Sequence, residues 1–173
     1  VGETGGKDFI FVHPSANAEE VANAAFCGAF EFQGQKCSAA SRMYAPKSLW
    51  NDILEGIRRR ADEVSMGDVC DFDNFINAVI DETSFDNISS YIEYAKAATD
   101  AEIVVGGKCD KSKGYFVEPT VIQTSNPHFK SIEEEIFGPV VAVIPVDSFD
   151  EALDIANQTE YGLTGSVYSE TRE

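Results

Sequence analysis

Positive charge is scarce in this chain. Thirteen Lys and Arg stand against 30 Asp and Glu, a formal charge of −17 over 173 residues. Such a field repels phosphate backbones and anionic lipid surfaces, which argues against nucleic-acid and membrane partners. The acidic residues are scattered, with no block of like charge, and so read as a solvated surface. Histidine is limited to His13 and His128, and Cys27, Cys37, Cys70 and Cys109 form no Cys-x-x-Cys pair, so a metal cluster is not expected. That cysteine spacing offers no disulfide framework either, and points to a reducing compartment. No apolar run approaches the roughly 18 residues of a membrane span, and no signal-peptide pattern opens the sequence. Repeats, low-complexity tracts and a Gly-x-Gly-x-x-Gly fingerprint are also missing.

What remains is a hydrophobic content of 43%, enough for one sizeable core at single-domain length. Asp8 to His13 is a short apolar run rich in aromatic and β-branched residues, as a buried strand requires. Ser15 or Asn17 can cap a helix over residues 18–32, where Val21, Ala25, Gly28, Ala29 and Phe32 fall at helical spacing. Gly34 breaks that helix, which puts Cys37 on a turn. Residues 41–45 read as a strand stopped by Pro46. An amphipathic helix over 48–64 follows, with Leu49, Ile53, Ile57 and Ala61 on one face.

Residues 67–75 read as a loop ordered by Phe72 and Phe75. Asp81 or Thr83 can cap a helix to about Ala98 whose buried stripe is Phe85, Ile88, Ile92 and Ala95. Residues 103–105 form a strand ending at Gly106-Gly107. Residues 115–122 read as one extended segment that Pro119 places at an edge or a bulge. Residues 140–144 read as a buried parallel strand, 149–158 as a helix and 165–168 as a last strand. Strands alternating with helices predict an α/β fold, three αβα layers around a mostly parallel sheet.

Three short segments carry the chemistry. Cys37 stands in Gly34-Gln35-Lys36-Cys37-Ser38, a polar and glycine-punctuated setting unlike that of a core thiol. Lys36 adds a positive charge beside it that favours thiolate. Cys27, among Ala25, Phe26 and Ala29, is expected in the core, and Cys70 and Cys109 are loop residues without a role. Glu3 precedes Gly5-Gly6, a pair suited to unusual torsions or close approach to a ligand. Glu133-Glu134-Glu135-Ile136-Phe137-Gly138-Pro139 leads into the strand from Val140 and, alone, reads as a charged turn. A thiol nucleophile with a carboxylate base is what covalent reaction at a carbonyl carbon needs.

These three segments, in this order, resemble the aldehyde dehydrogenase superfamily. The resemblance implies that Cys37 is the nucleophile and Glu3 the general base for thioester hydrolysis. It implies that Glu135 holds the nicotinamide ribose hydroxyls and that Phe137 lies against the nicotinamide of NAD, with NADP left open. The segments from Gly2 to Phe9, from Ala29 to Ala39 and from Tyr161 to Gly165 are similar to the branch acting on L-glutamate γ-semialdehyde, where the serine after the nucleophile anchors the substrate α-carboxylate; here that is Ser38. Phe116-Val117-Glu118-Pro119-Thr120 and Tyr161-Gly162-Leu163-Thr164 are further landmarks, expected to be structural. Another branch, such as a succinate semialdehyde or broad-specificity enzyme, or a non-catalytic domain keeping the fold, are the other readings. The sequence opens at Val1 inside a motif, without an initiator Met. Residues 1–173 are therefore expected to be a catalytic-domain fragment, with the cofactor-binding domain and C-terminal tail elsewhere. The fragment alone is expected to be inactive, its parent a homo-oligomer in the cytoplasm or the mitochondrial matrix.

Overall fold

A computed structural model describes residue 2 and residues 4–172 of the chain. Strand β1 (Asp8–Val12) leads to helix α1 (Ala18–Phe30), whose start is fixed by Asn17. The Asn17 side chain accepts from the amides of Glu19 at 3.0 Å and Glu20 at 3.2 Å, and both glutamates favour the positive end of the helix. The helix ends two residues short of Phe32. A 3₁₀ turn (Glu31–Gly34) follows, and Phe32 is left 63% exposed. Strand β2 (Ala40–Pro46) runs directly into α2 (Lys47–Glu63), which buries Trp50, Ile53, Leu54, Gly56 and Ile57 at helical spacing.

Strands β3 (Ser65–Met66) and β4 (Asn74–Ile76) make a small parallel ribbon. The loop between them is not ordered by Phe72, which is 96% exposed. Its order comes from side-chain turns: Asp68 accepts from the Cys70 amide, Asp71 from that of Asp73, and the Asn74 side chain donates to the Asp68 carbonyl. Phe75 does pack inward, its ring 5.8 Å from that of Phe26.

Helix α3 (Glu82–Ala97) is capped by Asp81, which accepts from the Ser84 amide at 2.8 Å, and buries the expected stripe of Phe85, Ile88, Ile92 and Ala95. Strand β5 (Ala101–Val105) follows, then a short antiparallel pair, β6 (Cys109–Asp110) with β7 (Phe116–Val117). Strand β8 (Thr120–Thr124) lies inside the main sheet between β5 and β9. Of the edge or bulge expected over residues 115–122, the edge is therefore wrong, while the pairing of β8 with β5 does carry a register shift, between Ile103 and Val105. The chain breaks into two strands at Glu118-Pro119, where a missing amide costs no ladder bond. The remaining elements are α4 (Lys130–Glu133), β9 (Val140–Val146), α5 (Phe149–Ala156) and β10 (Gly165–Tyr168).

The main sheet has the order β10-β1-β2-β9-β8-β5, parallel throughout except for β5 against β8. Alternation along the strands feeds two cores. Ile10, Met43, Val121, Val141 and Val143 face α1 and α2; Phe11, Tyr44, Ile122, Ala142 and Ile144 face α3, α4 and α5. This is the three-layer αβα arrangement that the alternation of elements implied. No described helix is long and apolar enough to cross a membrane.

Because neighbouring strands run parallel, their amino ends lie together. Asp8 is opposite Ala40, Thr120 opposite Val140 and Phe9 opposite Gly165. Gly5-Gly6, Cys37, Glu135 to Pro139, Glu118-Pro119 and Tyr161 to Thr164 each immediately precede one of these five strands. One edge of the sheet thus gathers every motif.

Ile53 and Ile122 sit at 0% exposure in opposite layers. Truncating either to Ala is expected to cost about 2–5 kcal/mol in urea denaturation of the chain. Phe72→Ala should stay within about 0.5 kcal/mol, and a larger loss would restore the loop-ordering role denied above.

Candidate active site

The site is built around Gly6. Its amide donates to Glu135 Oε1 at 2.9 Å, although the two residues are 129 positions apart. On the other side, a Cβ on Gly6 would collide with the carbonyl oxygen of Cys37. The glycine is required for close approach, since neither Gly5 nor Gly6 has a positive φ. One backbone position therefore holds the carboxylate and touches the thiol residue. Glu3 lies outside the described residues.

Cys37 is exposed, on a turn closed by the Ala39 amide donating to the Lys36 carbonyl at 3.0 Å, and Ser38 is exposed on the same turn. Lys36 does not keep its charge free beside the thiol; its ammonium bonds Glu31 at 2.6 Å. Cys27 is not in the core: α1 turns Val21, Ala22, Ala25, Phe26, Ala29 and Phe30 inward, and periodicity carries Cys27 to the outer face. Cys109 is half-buried, and burial pushes its thiol pKa up, which disfavours thiolate there.

The approach to Cys37 is conformationally costly. Phe32 and Gln33 both lie in the left-handed region, at φ 56° and 57°, where a residue with a side chain loses roughly 1–2 kcal/mol. Gly34 follows at φ +65°, and a Cβ there would run into the Gly138 carbonyl, so only glycine brings this turn onto the Phe137-Gly138-Pro139 segment. Opposing the strain are side-chain bonds. Gln33 accepts from the Asn77 amide at 3.2 Å and donates to the Ala78 carbonyl at 3.5 Å, while Gln35 accepts from the Ile80 amide at 2.9 Å. At about 0.5–1.5 kcal/mol net each, three bonds match the cost of two left-handed residues.

The three consecutive glutamates are told apart only by their partners. Glu133 bonds His128 at 2.7 Å, and Glu134 accepts from the Tyr91 hydroxyl at 2.5 Å; burial and that bond push the Tyr91 pKa up to about 12. Glu135, half-buried, is the one on Gly6. Phe137, at φ 58°, keeps its ring 44% exposed beside it. A carboxylate with one oxygen fixed by an amide, next to an open aromatic face, is a fitting donor set for a ribose and an attached heteroaromatic ring.

The two further landmarks act as buttresses. Thr120 donates its amide to the Pro139 carbonyl at 2.9 Å, and the Thr164 amide donates to Asp8 Oδ1 at 2.8 Å. The Asp8 pKa is raised, first by burial, with the Thr164 amide and Arg42 pulling it back.

Arg42 and Lys7 carried no functional weight in the sequence. Arg42 is 2% exposed; its Nε donates to the Lys7 carbonyl at 2.8 Å, and its Nη1 donates to Tyr44 Oη and the Ala156 carbonyl at 3.2 Å. It pins the strand entry below Gly6. The available signal was a single arginine inside Ser41-Arg42-Met43-Tyr44-Ala45, an otherwise core-like strand. Lys7 is 1% exposed, and its Nζ has no hydrogen-bond partner among the described residues.

Burial, then Arg42, lowers the Lys7 pKa from 10.5 to about 7, while Glu135, Asp8 and Glu134 oppose the shift. The folded state thus binds this proton less tightly than the unfolded chain does. Between those two values the unfolded chain carries more protons, so stability should rise with pH from about 7 to 10.5. Lys7→Met is expected to abolish that rise. Its gain over the parent should be a few kcal/mol near pH ~6 and fade by pH ~10 in chemical denaturation. Parallel pH profiles would mean that the ammonium is satisfied in the fold.

Comparison with known proteins gives the family. The profile of the Aldehyde dehydrogenase family matches residues 1–173. The chain is 54% identical to the mitochondrial Delta-1-pyrroline-5-carboxylate dehydrogenase of Dictyostelium discoideum, over 99% of this chain and 31% of that protein. It is 43% identical to the 1-pyrroline-5-carboxylate dehydrogenase of Bacillus pumilus (strain SAFR-032), over 100% of this chain and 33% of that protein. Among solved structures, Thermus 1-pyrroline-5-carboxylate dehydrogenase with bound NAD superposes with a TM-score of 0.91 at 42% identity, covering 98% of this chain and 32% of that one. The NAD+ complex of Bacillus cereus aldehyde dehydrogenase gives 0.91 at 32% identity, covering 97% of this chain and 34% of that one. The chain spans about a third of the length of the curated relatives it matches. Its three motifs meet at one edge of the family's sheet, and the chain belongs to the aldehyde dehydrogenase family.

Proposed function

We propose that this chain is the thiol-bearing part of an NAD(P)-dependent dehydrogenase that oxidises L-glutamate γ-semialdehyde, from 1-pyrroline-5-carboxylate, to L-glutamate in proline catabolism. The observation that carries the reading is Gly6, with its amide on Glu135 and its backbone against Cys37. The substrate assignment is supported by 54% identity to a Delta-1-pyrroline-5-carboxylate dehydrogenase.

In this reading the Cys37 thiolate bonds to the aldehyde carbon and the carbonyl oxygen takes up a proton, giving a thiohemiacetal. The nicotinamide supplies a hydride acceptor when bound. Loss of hydride and of the hydroxyl proton restores the carbonyl and leaves a thioester on Cys37. Water then attacks that carbon, Glu3 takes the water proton, and the carbon–sulfur bond breaks to release the carboxylate and the thiolate. Ser38, exposed next to Cys37, would anchor the substrate α-carboxylate. Glu135 would hold the ribose hydroxyls and Phe137 would lie against the nicotinamide of NAD, or of NADP.

We infer that the cofactor domain and a C-terminal tail belong to the rest of a longer, homo-oligomeric protein. That protein would act in the cytoplasm or in the mitochondrial matrix; the Dictyostelium relative is named as mitochondrial. Hydride transfer needs a nicotinamide positioned against the adduct, and Glu135 with Phe137 would form only one end of its site. The chain alone is therefore expected to form no NADH from the semialdehyde, while the full-length protein does. Cys37→Ser in the full-length protein should remove turnover by a factor of a thousand or more, as loss of a sole nucleophile does. Turnover of succinate semialdehyde at the same efficiency would replace the substrate reading with a broad-specificity one. Four equally sluggish thiols towards an alkylating agent would mark a non-catalytic domain.

A further inference from the structure

The two glutamines of Phe32-Gln33-Gly34-Gln35 do more than fill a turn. Residues 77–80, between β4 and α3, present their backbone to them. The Gln33 carboxamide spans the Asn77 amide and the Ala78 carbonyl as a neighbouring strand would, and Gln35 takes the Ile80 amide. On its far side, the same segment is held by the Val79 amide donating to the Tyr115 carbonyl at 2.8 Å, and by the Asp81 cap of α3. Helix α3 in turn packs Ile88 where a side chain on Gly138 would stand. A connected body therefore runs from the thiol turn through residues 77–80 and α3 to the Phe137-Gly138 turn.

We propose that Gln33 and Gln35 are positioning residues for Cys37, acting by clamping the backbone of residues 77–80 to the thiol turn. Phe32 and Gln33 occupy a left-handed conformation that they would leave if unrestrained, and the turn carrying Cys37 begins three residues later, at Lys36. A glutamine suits the position because a neutral carboxamide offers an acceptor and a donor at the end of a reach long enough to cross to a neighbouring segment. Gln33 is 6% exposed, so its amide is committed to these partners instead of to water. The proposal rests on Cys37 being the nucleophile.

Two reagents separate positioning from mere exposure. Acylation by p-nitrophenyl acetate requires the thiolate to approach a carbonyl along a defined path, forming the sulfur–carbon bond before p-nitrophenolate leaves with its electron pair. Alkylation by iodoacetamide at the same pH asks only for an exposed thiolate. Their rate ratio at Cys37 cancels the thiolate fraction. Gln35 is only half-buried, so Gln35→Met should fold. It is expected to lower that ratio about tenfold, the scale set by small misplacements of a reacting group. It should also speed amide exchange at Ile80. Gln35→Glu keeps an acceptor oxygen for the Ile80 amide and gives up only the long 3.4 Å bond from the Gln35 side-chain nitrogen to the Phe32 carbonyl, so it should restore most of the protection and of the ratio. Faster exchange at Ile80 with an unchanged ratio would overturn the proposal, as would failure of Gln35→Glu to restore it. In the parent, Cys37 reacting no faster than the exposed Cys27 would overturn the nucleophile assignment, and this proposal with it.

Discussion

Parallel pairing of β1, β2 and β9 is the constraint on which the site depends. Parallel strands bring like ends together, so the residues entering them converge however far apart they lie in sequence. Gly6 enters β1, Cys37 enters β2 and Glu135 to Pro139 enter β9, and these strands are immediate neighbours. A slip of one residue between β1 and β2 would separate Gly6 from the Cys37 carbonyl and turn each core side chain to the wrong face. The two layers that bury Ile10 and Met43 on one side and Phe11 and Tyr44 on the other therefore also hold the candidate site residues in register.

Open α/β sheets usually receive ligands beyond the carboxyl ends of their strands, where helix amino ends converge. Here the candidate site residues collect at the opposite end, before β1, β2 and β9. Backbone polarity comes instead from turns of unusual shape. Phe32, Gln33, Gly34 and Phe137 are all left-handed, and Gly6 admits a carbonyl at a distance closed to any other residue. Strain gathered at the amino ends of these strands fits a pattern in which local rules are broken at candidate functional sites.

The elements that could be read from sequence were those with strong periodicity or strong punctuation. The β1 run and the stripe from Phe85 to Ala95 needed only apolar spacing, and the α3 start was narrowed to Asp81 or Thr83, of which Asp81 is the cap. What escaped depended on phase or on tertiary partners. Cys27 has apolar neighbours on both sides, yet its angle around α1 points it to solvent, since neighbours in sequence are not neighbours on a helix face. Pro119 was a true break but not an edge, because the strand after it recruits β5 and β9 as partners from distant sequence. The motifs named Cys37 and Glu135 through resemblance. The triple glutamate itself held no means of choosing among three carboxylates. His128, Tyr91 and the Gly6 amide make that choice in space.

Charge shows the same separation between composition and place. A balance of −17 describes the surface, where most carboxylates are hydrated and each isolated ion pair contributes little. Beneath the Gly5-Gly6 turn charge is buried instead: Lys7 and Arg42, two of only 13 basic side chains, and Asp8 are all nearly inaccessible. Arg42 donates to two carbonyls and a hydroxyl, which offsets part of its desolvation and fixes the Lys7 backbone. Lys7, with no described partner, gives up proton affinity instead, as a buried amine does. Glu135 lies near that amine while its Oε1 rests on the Gly6 amide, so an acidic group is held by local positive polarity inside an acidic protein. Buried Arg42, Asp8 and Lys7 and the Gly6 amide surround Glu135 with local charges and dipoles that net charge does not report.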